Sequence, residues 1–566
     1  MKLKRTLSIF SSLILLSLGA FSQDQEEVSG EIEDVQVIIE KDKPLTLPTA
    51  SRIYKRAEIK RVLADTSSLI YKPSLPKFQF EQYEPSFKPK AFRDVRSSKK
   101  TINYAKIGFG NYLSPLLEGF IAVEERLNYA SIWLQHESFA KGPIRGKESG
   151  FSTNKVVIDG RYVARYFEFQ PIISFNREVF NYFGYNDEAY SQALPVSDRI
   201  YIQDQATFSS LVFGGTLSSI SKNKIAASFT PTYQTTSMRV KGGDKFNTDN
   251  LIKLDGAFDY SMSQTNKINV IAGFNWAQYD GGASTFSRSK AYINPSYQYR
   301  KDDFVLSAGF NVVSGKDSTS QLYFYPDVEA KYFINDKISI QARVGGDLEL
   351  NTLESLYGGN VYLDDSLSIV NTNKAITFEV TTGIKLSERF LLEASAGYEV
   401  IEGQPLFVYS PVDTSRFSVK YDDNFGKFRF GVKGVYFVEN QTFISADFSL
   451  YTYKESAGFE AWFLPLRALQ LEARHRFIKG LTAGISVDVV SGIKSPNVLL
   501  LQDESLLSES STQDLIFDLG LNVNYELKEN IELYTTVDNM LNQKYEWYKN
   551  YPSRGIAAKM GFIFRF

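Results

Sequence analysis

The chain has 566 residues, with 63 Lys and Arg against 65 Asp and Glu and a net charge of −2. That balance gives no case for nucleic-acid binding, which shows as a basic excess. Cysteine is absent, so disulfides, a thiol nucleophile, a thiolate-held metal and a lipid anchored on Cys are excluded. Only two histidines occur, while 43 Phe, 34 Tyr and 4 Trp make the chain rich in aromatics. Mean hydropathy is nevertheless slightly negative. A bundle of apolar helices is therefore excluded, which leaves a soluble β protein or a transmembrane β-barrel.

Residues 1–22 have the layout of a secretory signal. Lys2, Lys4 and Arg5 precede a mostly apolar run from Leu7 to Ala20. Ala20 and Ser22 then supply small residues at the usual −3 and −1 positions, so cleavage is expected between Ser22 and Gln23. The run is too short to cross a bilayer as a helix, which takes about 20 residues. No later stretch is apolar enough to do so. Residues 23–102 are expected to form a periplasmic N-terminal segment. It starts acidic, then carries Pro44, Pro48, Pro73, Pro76, Pro85 and Pro89. Basic residues interleave with aromatics from Lys77-Phe78 through Phe87-Lys88 to Phe92-Arg93. Two readings stand here: a strap that docks, for instance in a barrel's own lumen, and a loosely ordered linker.

From residue 103 to 566 the hydropathy alternates with period 2. Ile338, Ile340, Ala342, Val344, Gly346, Leu348 and Leu350 alternate with Lys337, Ser339, Gln341, Arg343, Gly345, Asp347 and Glu349. Such alternation marks a strand with one apolar and one polar face. The connections alternate as well. Short ones fall near Glu124–Arg126, Ser221–Asn223, Lys301-Asp302, Asn335-Asp336, Ser387–Arg389 and Lys528–Asn530, with longer ones between them, such as 351–371, 402–414 and 492–513. Tight turns on one side and long loops on the other describe an antiparallel outer-membrane β-barrel. The pattern counts to about 22 strands, the links near Leu113–Pro115 and Phe167–Pro171 being the weakest. An even count puts both barrel ends in the periplasm. Runs of 12–15 residues also exceed the strands of about 5–6 residues usual in soluble sheets.

The C-terminal strand places Met560, Phe562, Phe564 and the terminal Phe566 on one face, with Lys559, Gly561 and Arg565 on the other. Before it stands Val537-Asp538-Asn539-Met540-Leu541-Asn542-Gln543-Lys544-Tyr545, followed by Trp547-Tyr548 and by Tyr551-Pro552-Ser553-Arg554-Gly555. This stretch resembles the closing segment of TonB-dependent receptors, with Asn539, Leu541, Asn542 and Tyr545 carrying the motif. Ile107 to Tyr112 is similar to their first barrel strand. The resemblance implies a 22-strand barrel over 103–566, a strand end read by barrel-assembly machinery, and a transport or receptor role. Those receptors carry a folded plug ahead of the barrel, whereas residues 23–102 are short and Pro-rich and show no coupling motif. The chain thus resembles the plug-less, receptor-like barrels of Bacteroidota. The aromatics of 545–551 are expected in an interfacial girdle rather than in a ligand site.

No catalytic, cofactor or metal site is expected. His136 and His475 lie in separate strands with no nucleophile-and-base pattern. Gly242-Gly243-Asp244 and Asp280-Gly281-Gly282 lack the strand–loop–helix setting of a phosphate site. Asp364-Asp365, Asp422-Asp423 and Asp503-Glu504 lack the spacing of a calcium loop. The expected partners are outer-membrane lipid, the assembly machinery, and a separate plug or envelope protein. A transport-type barrel is the first expectation, and a non-transporting scaffold in an envelope assembly is the alternative.

Overall fold

The computed structural model describes residues 103–143, 146–184, 205–220, 224–241, 246–281, 284–317, 319–410, 413, 415–438, 441–496 and 510–566. The signal sequence with its Ser22–Gln23 junction, the 23–102 segment, Gly242-Gly243-Asp244 and Asp503-Glu504 lie outside the described residues. Contacts divide the chain into Met1–Ala64 and Asp65–Phe566, and all described residues belong to the second unit.

Among the described residues, 22 antiparallel strands form one closed sheet, from Tyr104–Gly110 to Ala557–Arg565. Each pairs with the next barrel strand in the chain, and the last returns to the first, with Gly108 opposite Gly561 and Tyr104 opposite Arg565. Closure leaves no strand edge, as a hydrocarbon solvent requires of every backbone N–H and C=O. Two small hairpins stand apart from the barrel: Gln404–Tyr409 with Phe417–Asp422, and Lys494–Pro496 with Ser510–Thr512. Among the described residues no helix is long and apolar enough to cross a membrane.

Alternation sorts the side chains as the sequence pattern predicts. Ile107 and Phe109 on the first strand, and Leu117, Ile121 and Val123 on the second, are exposed. Between them Lys106, Leu116, Glu118 and Phe120 are buried. The exposed apolar face recurs around the sheet at Phe213, Tyr233, Phe274, Ile293, Phe310, Ile340, Phe378 and Phe448. It ends on Met560, Phe562 and Phe564 of the last strand, with Lys559 and Gly561 on the buried side. An outward apolar band over a polar interior is the solvation pattern of an outer-membrane barrel.

The turns keep the register. Arg126-Leu127, Asp302-Asp303, Asp336-Lys337, Glu388-Arg389, Lys479-Gly480 and Glu529-Asn530 are two-residue links on one side of the barrel. Arg126, Asp302 and Gly480 take the positive φ that such turns need. The other side carries the long connections, although Asn111–Leu113 there is a single tight 3₁₀ turn. The stretch near Phe167–Pro171 is not a link but the start of strand Phe167–Asn181. Its ladder to strand Phe151–Val163 lapses at Gly160 and Arg161, opposite Pro171 and Gln170. Pro171 has no N–H to donate, which explains why the sequence looks turn-like there.

The closing seam is sterically tight. A Cβ on Gly561 would fall on the Ile107 carbonyl oxygen, and one on Gly108 would fall on the Tyr534 hydroxyl. Replacing Gly561 by Val should therefore cost about 1–3 kcal/mol or more, as over-packing does. The expected outcome is loss of the compact, heat-modifiable band on unheated SDS gels. Unchanged gel behaviour would show that the seam relaxes.

Candidate functional site

The longest strand, Thr285–Lys301, has 17 residues. At a tilt near 40° it rises about 40 Å, well beyond an apolar band about 25 Å tall. The surplus carries the long loops, and these turn inward. The loop after the thirteenth strand contains the helix α1, Leu353–Gly359. Thr352 caps it: its Oγ1 accepts from Ser355 N at 3.1 Å, while Ser355 Oγ accepts from Thr352 N at 2.8 Å.

This helix rests on the inner faces of strands from the first half of the barrel. Ser210 Oγ donates to Glu354 Oε2 at 2.9 Å. The Tyr357 ring stacks on Phe208 with centroids 3.6 Å apart, and its hydroxyl donates to Glu178 Oε2 at 2.7 Å. Asp249 Oδ2 accepts from Leu353 N at 2.8 Å, and its Oδ1 accepts from Arg288 Nη2 at 2.7 Å. Both partners of that ion pair are essentially unexposed. Arg288 also donates to the Asn351 carbonyl. One buried pair thus ties the loop to the wall.

Above this anchor the loops share one apolar core. Tyr362 stacks on Tyr551 at 3.4 Å between centroids, and Phe183 meets Tyr551 edge-on at 4.9 Å. Phe417 packs among Tyr409, Phe463 and Tyr548 at 5.1–5.4 Å. Trp462, Leu363, Tyr409 and Phe417 are fully buried. Tyr182 Oη donates to the Leu363 carbonyl at 2.6 Å, Tyr548 to that of Gly359, and Tyr551 to that of Ser415. These residues come from the connections after the fifth, thirteenth, fifteenth, seventeenth and twenty-first barrel strands. Segments from well-separated sectors of the wall therefore meet over the barrel mouth. A cavity of about 60 Å³ remains beside them, bordered by Phe151, Phe183, Tyr362, Trp547 and Tyr551. It has room for a few waters and not for a solute.

Polar groups in this dome fasten it. The Arg416 guanidinium lies over the Tyr182 ring at 4.8 Å and pairs with Asp413 at 3.2 Å, with Asp364 and Asp365 just inside 4 Å. Burial pushes the Asp364 carboxyl above the usual carboxylate range. The Tyr421 hydroxyl is pushed up to about 12 by burial and donates to the Ser368 carbonyl at 3.0 Å. Such phenols stay neutral donors at any physiological pH. Among the described residues no cluster of three or more His, Asp or Glu is placed to hold a metal ion. His136 and His475 each bond the residue directly opposite on an adjacent strand, Asn154 on the following one and Thr442 on the preceding one.

The residues singled out in the closing segment have definite places. Asn539 is buried with a φ of 49°, a left-handed conformation Asn tolerates well. Its Nδ2 donates to the carbonyls of Gln543 at 2.7 Å and Arg554 at 2.6 Å, and its Oδ1 accepts from Gln543 N at 3.0 Å. Asn542 Oδ1 accepts from Ile556 N at 3.2 Å. Tyr545 Oη donates to Asp518 Oδ2 at 2.6 Å, whereas Leu541 is exposed. The motif therefore staples the last loop to the rim. Tyr548 and Tyr551 are not in an interfacial girdle; they are buried in the dome, because the staple folds their loop inward. Sequence reasoning missed Asp249 and Arg288, which sit in ordinary alternating strands. It also missed α1, although Thr352-Leu353-Glu354-Ser355 is a readable helix start.

No family model matches the chain, and no curated protein sequence matches it. Solved structures do. The FrpB iron transporter from Neisseria meningitidis superposes with a TM-score of 0.65 at 10% identity, covering 83% of this chain and 82% of that one. The ferric-catecholate import receptor Fiu from E. coli K12 gives 0.61 at 10% identity over 82% of each chain. The copper transporter OprC gives 0.61 at 11% identity over 82% and 80%. At such identities the likeness is one of fold. What the chain shares with them is the closed 22-strand antiparallel β-barrel.

Two outcomes follow. Replacing Asn539 by Ala should leave two carbonyls unpaired and cost about 2–4 kcal/mol, read as new protease cleavage in 543–556 on intact cells. Replacing Arg288 by Ala should cost about 3–5 kcal/mol by stranding Asp249, while Arg288→Met with Asp249→Leu should recover most of it. Thermal unfolding in detergent checks this, and equal losses for the single and double variants would contradict it.

Proposed function

We propose that this barrel serves uptake or reception of a nutrient or metal complex at the outer membrane, that it works without a folded plug of its own, and that its extracellular loops form a closed gate. The observation that carries the proposal is the single aromatic core joining five loops over a 22-strand bore. A bore of that width needs an occluding element, and a passive diffusion channel would leave its mouth open. Support also comes from the solved structures with this fold, which are described as iron and copper transporters and an import receptor.

In this reading residues 1–22 direct export and are cut between Ser22 and Gln23, and residues 23–102 lie in the periplasm. Their six prolines between 44 and 89 suit a strap better than a folded plug. Met560, Phe562, Phe564 and Phe566 present the strand end to the assembly machinery. The inner side of the bore is covered by the N-terminal segment or by a separate plug or envelope protein.

Planar-bilayer conductance tests the gate. The full mature protein should be silent. A form lacking residues 23–100 and carrying Arg288→Ala with Tyr551→Ala should conduct in large steps. Steady conductance of the unaltered protein would overturn the gated reading in favour of a diffusion pore.

A further inference from the structure

One seam of the wall is left unzipped at its upper end. The twelfth strand, Ser320–Asn335, pairs with the eleventh as far as Ser320 opposite Lys316. Its ladder to the thirteenth strand, Ile338–Glu349, stops at Val328 opposite Val344. Residues 320–327 therefore face no strand on that side among the described residues. Leu322 and Phe324 stand beside the gap, 75% and 68% exposed. From Ile334, near the tight turn, to Phe324 the strand rises about 25 Å at a tilt near 40°, so the gap reaches into the apolar band. An open strand edge at that depth is disfavoured.

The missing partner is close by. The thirteenth strand stays paired with the fourteenth as far as Glu349 opposite Thr372, with a register shift between Gly345 and Asp347. Past that shift its end runs along the inner face of its neighbours instead of beside them. Asp347 reaches past the twelfth strand to Lys290 of the tenth at 2.7 Å and to Asn311 of the eleventh at 3.2 Å. Leu348, which the alternation of the sequence places on the outward face, is 2% exposed and packs on Val313 and Tyr325.

We propose that this end is a hinged latch with two seats, turning at Gly345 and Gly346. The first seat is the one just described. In the second the end continues the ladder of the twelfth strand, in the register that Val328 and Val344 begin. Pro326 then lies opposite Gly346, Tyr325 opposite Asp347, and Phe324 opposite Leu348. Leu348 faces lipid beside Phe324, as its place in the alternation asks, and the open edge is covered. Pro326 has no N–H to give this ladder, while the first seat has the ion pair of Lys290 with Asp347, so the first is occupied at rest. Only Glu349 and Leu350 separate Leu348 from Asn351, whose carbonyl accepts from Arg288, and α1 follows at once. Taking the second seat therefore draws α1 off the wall. The inference deepens the proposal of a loop gate and rests on it.

The absence of native cysteine makes the two seats separable. Phe324→Cys with Leu348→Cys forms a disulfide only in the second seat, because the first holds these side chains on opposite faces of the twelfth strand. A second pair, Tyr323→Cys with Glu349→Cys, is opposed in the same continued register and leaves Leu348 in place. Both are oxidised mildly in outer membranes, and disulfides are scored only in the heat-modifiable, folded band. Adding Asp347→Asn should speed closure of both pairs several-fold. Arg288→Met with Asp249→Leu, which unties α1 from the wall, should speed it too, since coupling between two sites is reciprocal. Rates unchanged by Asp347→Asn, or no disulfide in folded protein, would overturn the latch. A response to Asp347→Asn but none to the untying of α1 would overturn its link to the gate. The readout does not depend on conduction, so its failure is distinguishable from failure of the gate.

Discussion

Lipid offers the backbone no hydrogen bonds, and the rest of this structure depends on how the chain meets that demand. Every barrel strand pairs on both sides, so the meeting of the first and last strands is as necessary as any core contact. That meeting is made possible by two glycines facing each other, Gly108 and Gly561, beneath the Tyr534 ring. Once the sheet closes, the side-chain arithmetic is settled. Alternate residues face hydrocarbon, and the others face a wide interior that apolar side chains of a single wall cannot fill.

The apolar packing a soluble protein would place between its layers is therefore found in the loops. Phe417, Trp462, Tyr409 and Leu363 are as buried as any residues in a globular core, yet none belongs to a barrel strand. The dome is joined to the wall by polar groups, above all the pair of Arg288 and Asp249 with the α1 amide of Leu353. A buried ion pair adds little net stability over an apolar substitute, but it accepts only one arrangement. Here that arrangement fixes where α1 sits against strands far from its own in sequence.

The barrel was legible because period-2 alternation survives any choice of partner strand. Ile338 to Leu350 and Met560 to Phe566 show it plainly, and the two-residue turns mark the register. Pro171 misled locally because a missing N–H looks the same in a turn and at a lapse in a ladder. The dome was not legible, since its residues follow no period and come from five loops. Asn539, Asn542 and Tyr545 could be picked out as a motif, but their work depends on Arg554, Ile556 and Asp518, partners 14 to 27 residues away. The same alternation that puts Glu137 on the inner face says nothing of its partner there, Lys559 of the last strand.

The dome also orders events in time. Tyr548 and Tyr551 bond carbonyls 189 and 136 residues earlier in the chain, and they lie in the last long loop. The aromatic core therefore stays incomplete until nearly the whole polypeptide is in place. During that interval Phe417, Phe463 and Tyr362 have only part of their eventual packing, and contacts of such long range form slowly. A nascent barrel of this kind leaves its mouth open while its wall is being built. Closure of the wall and completion of the final loop then become one process, with the cap serving as the sign that assembly has finished.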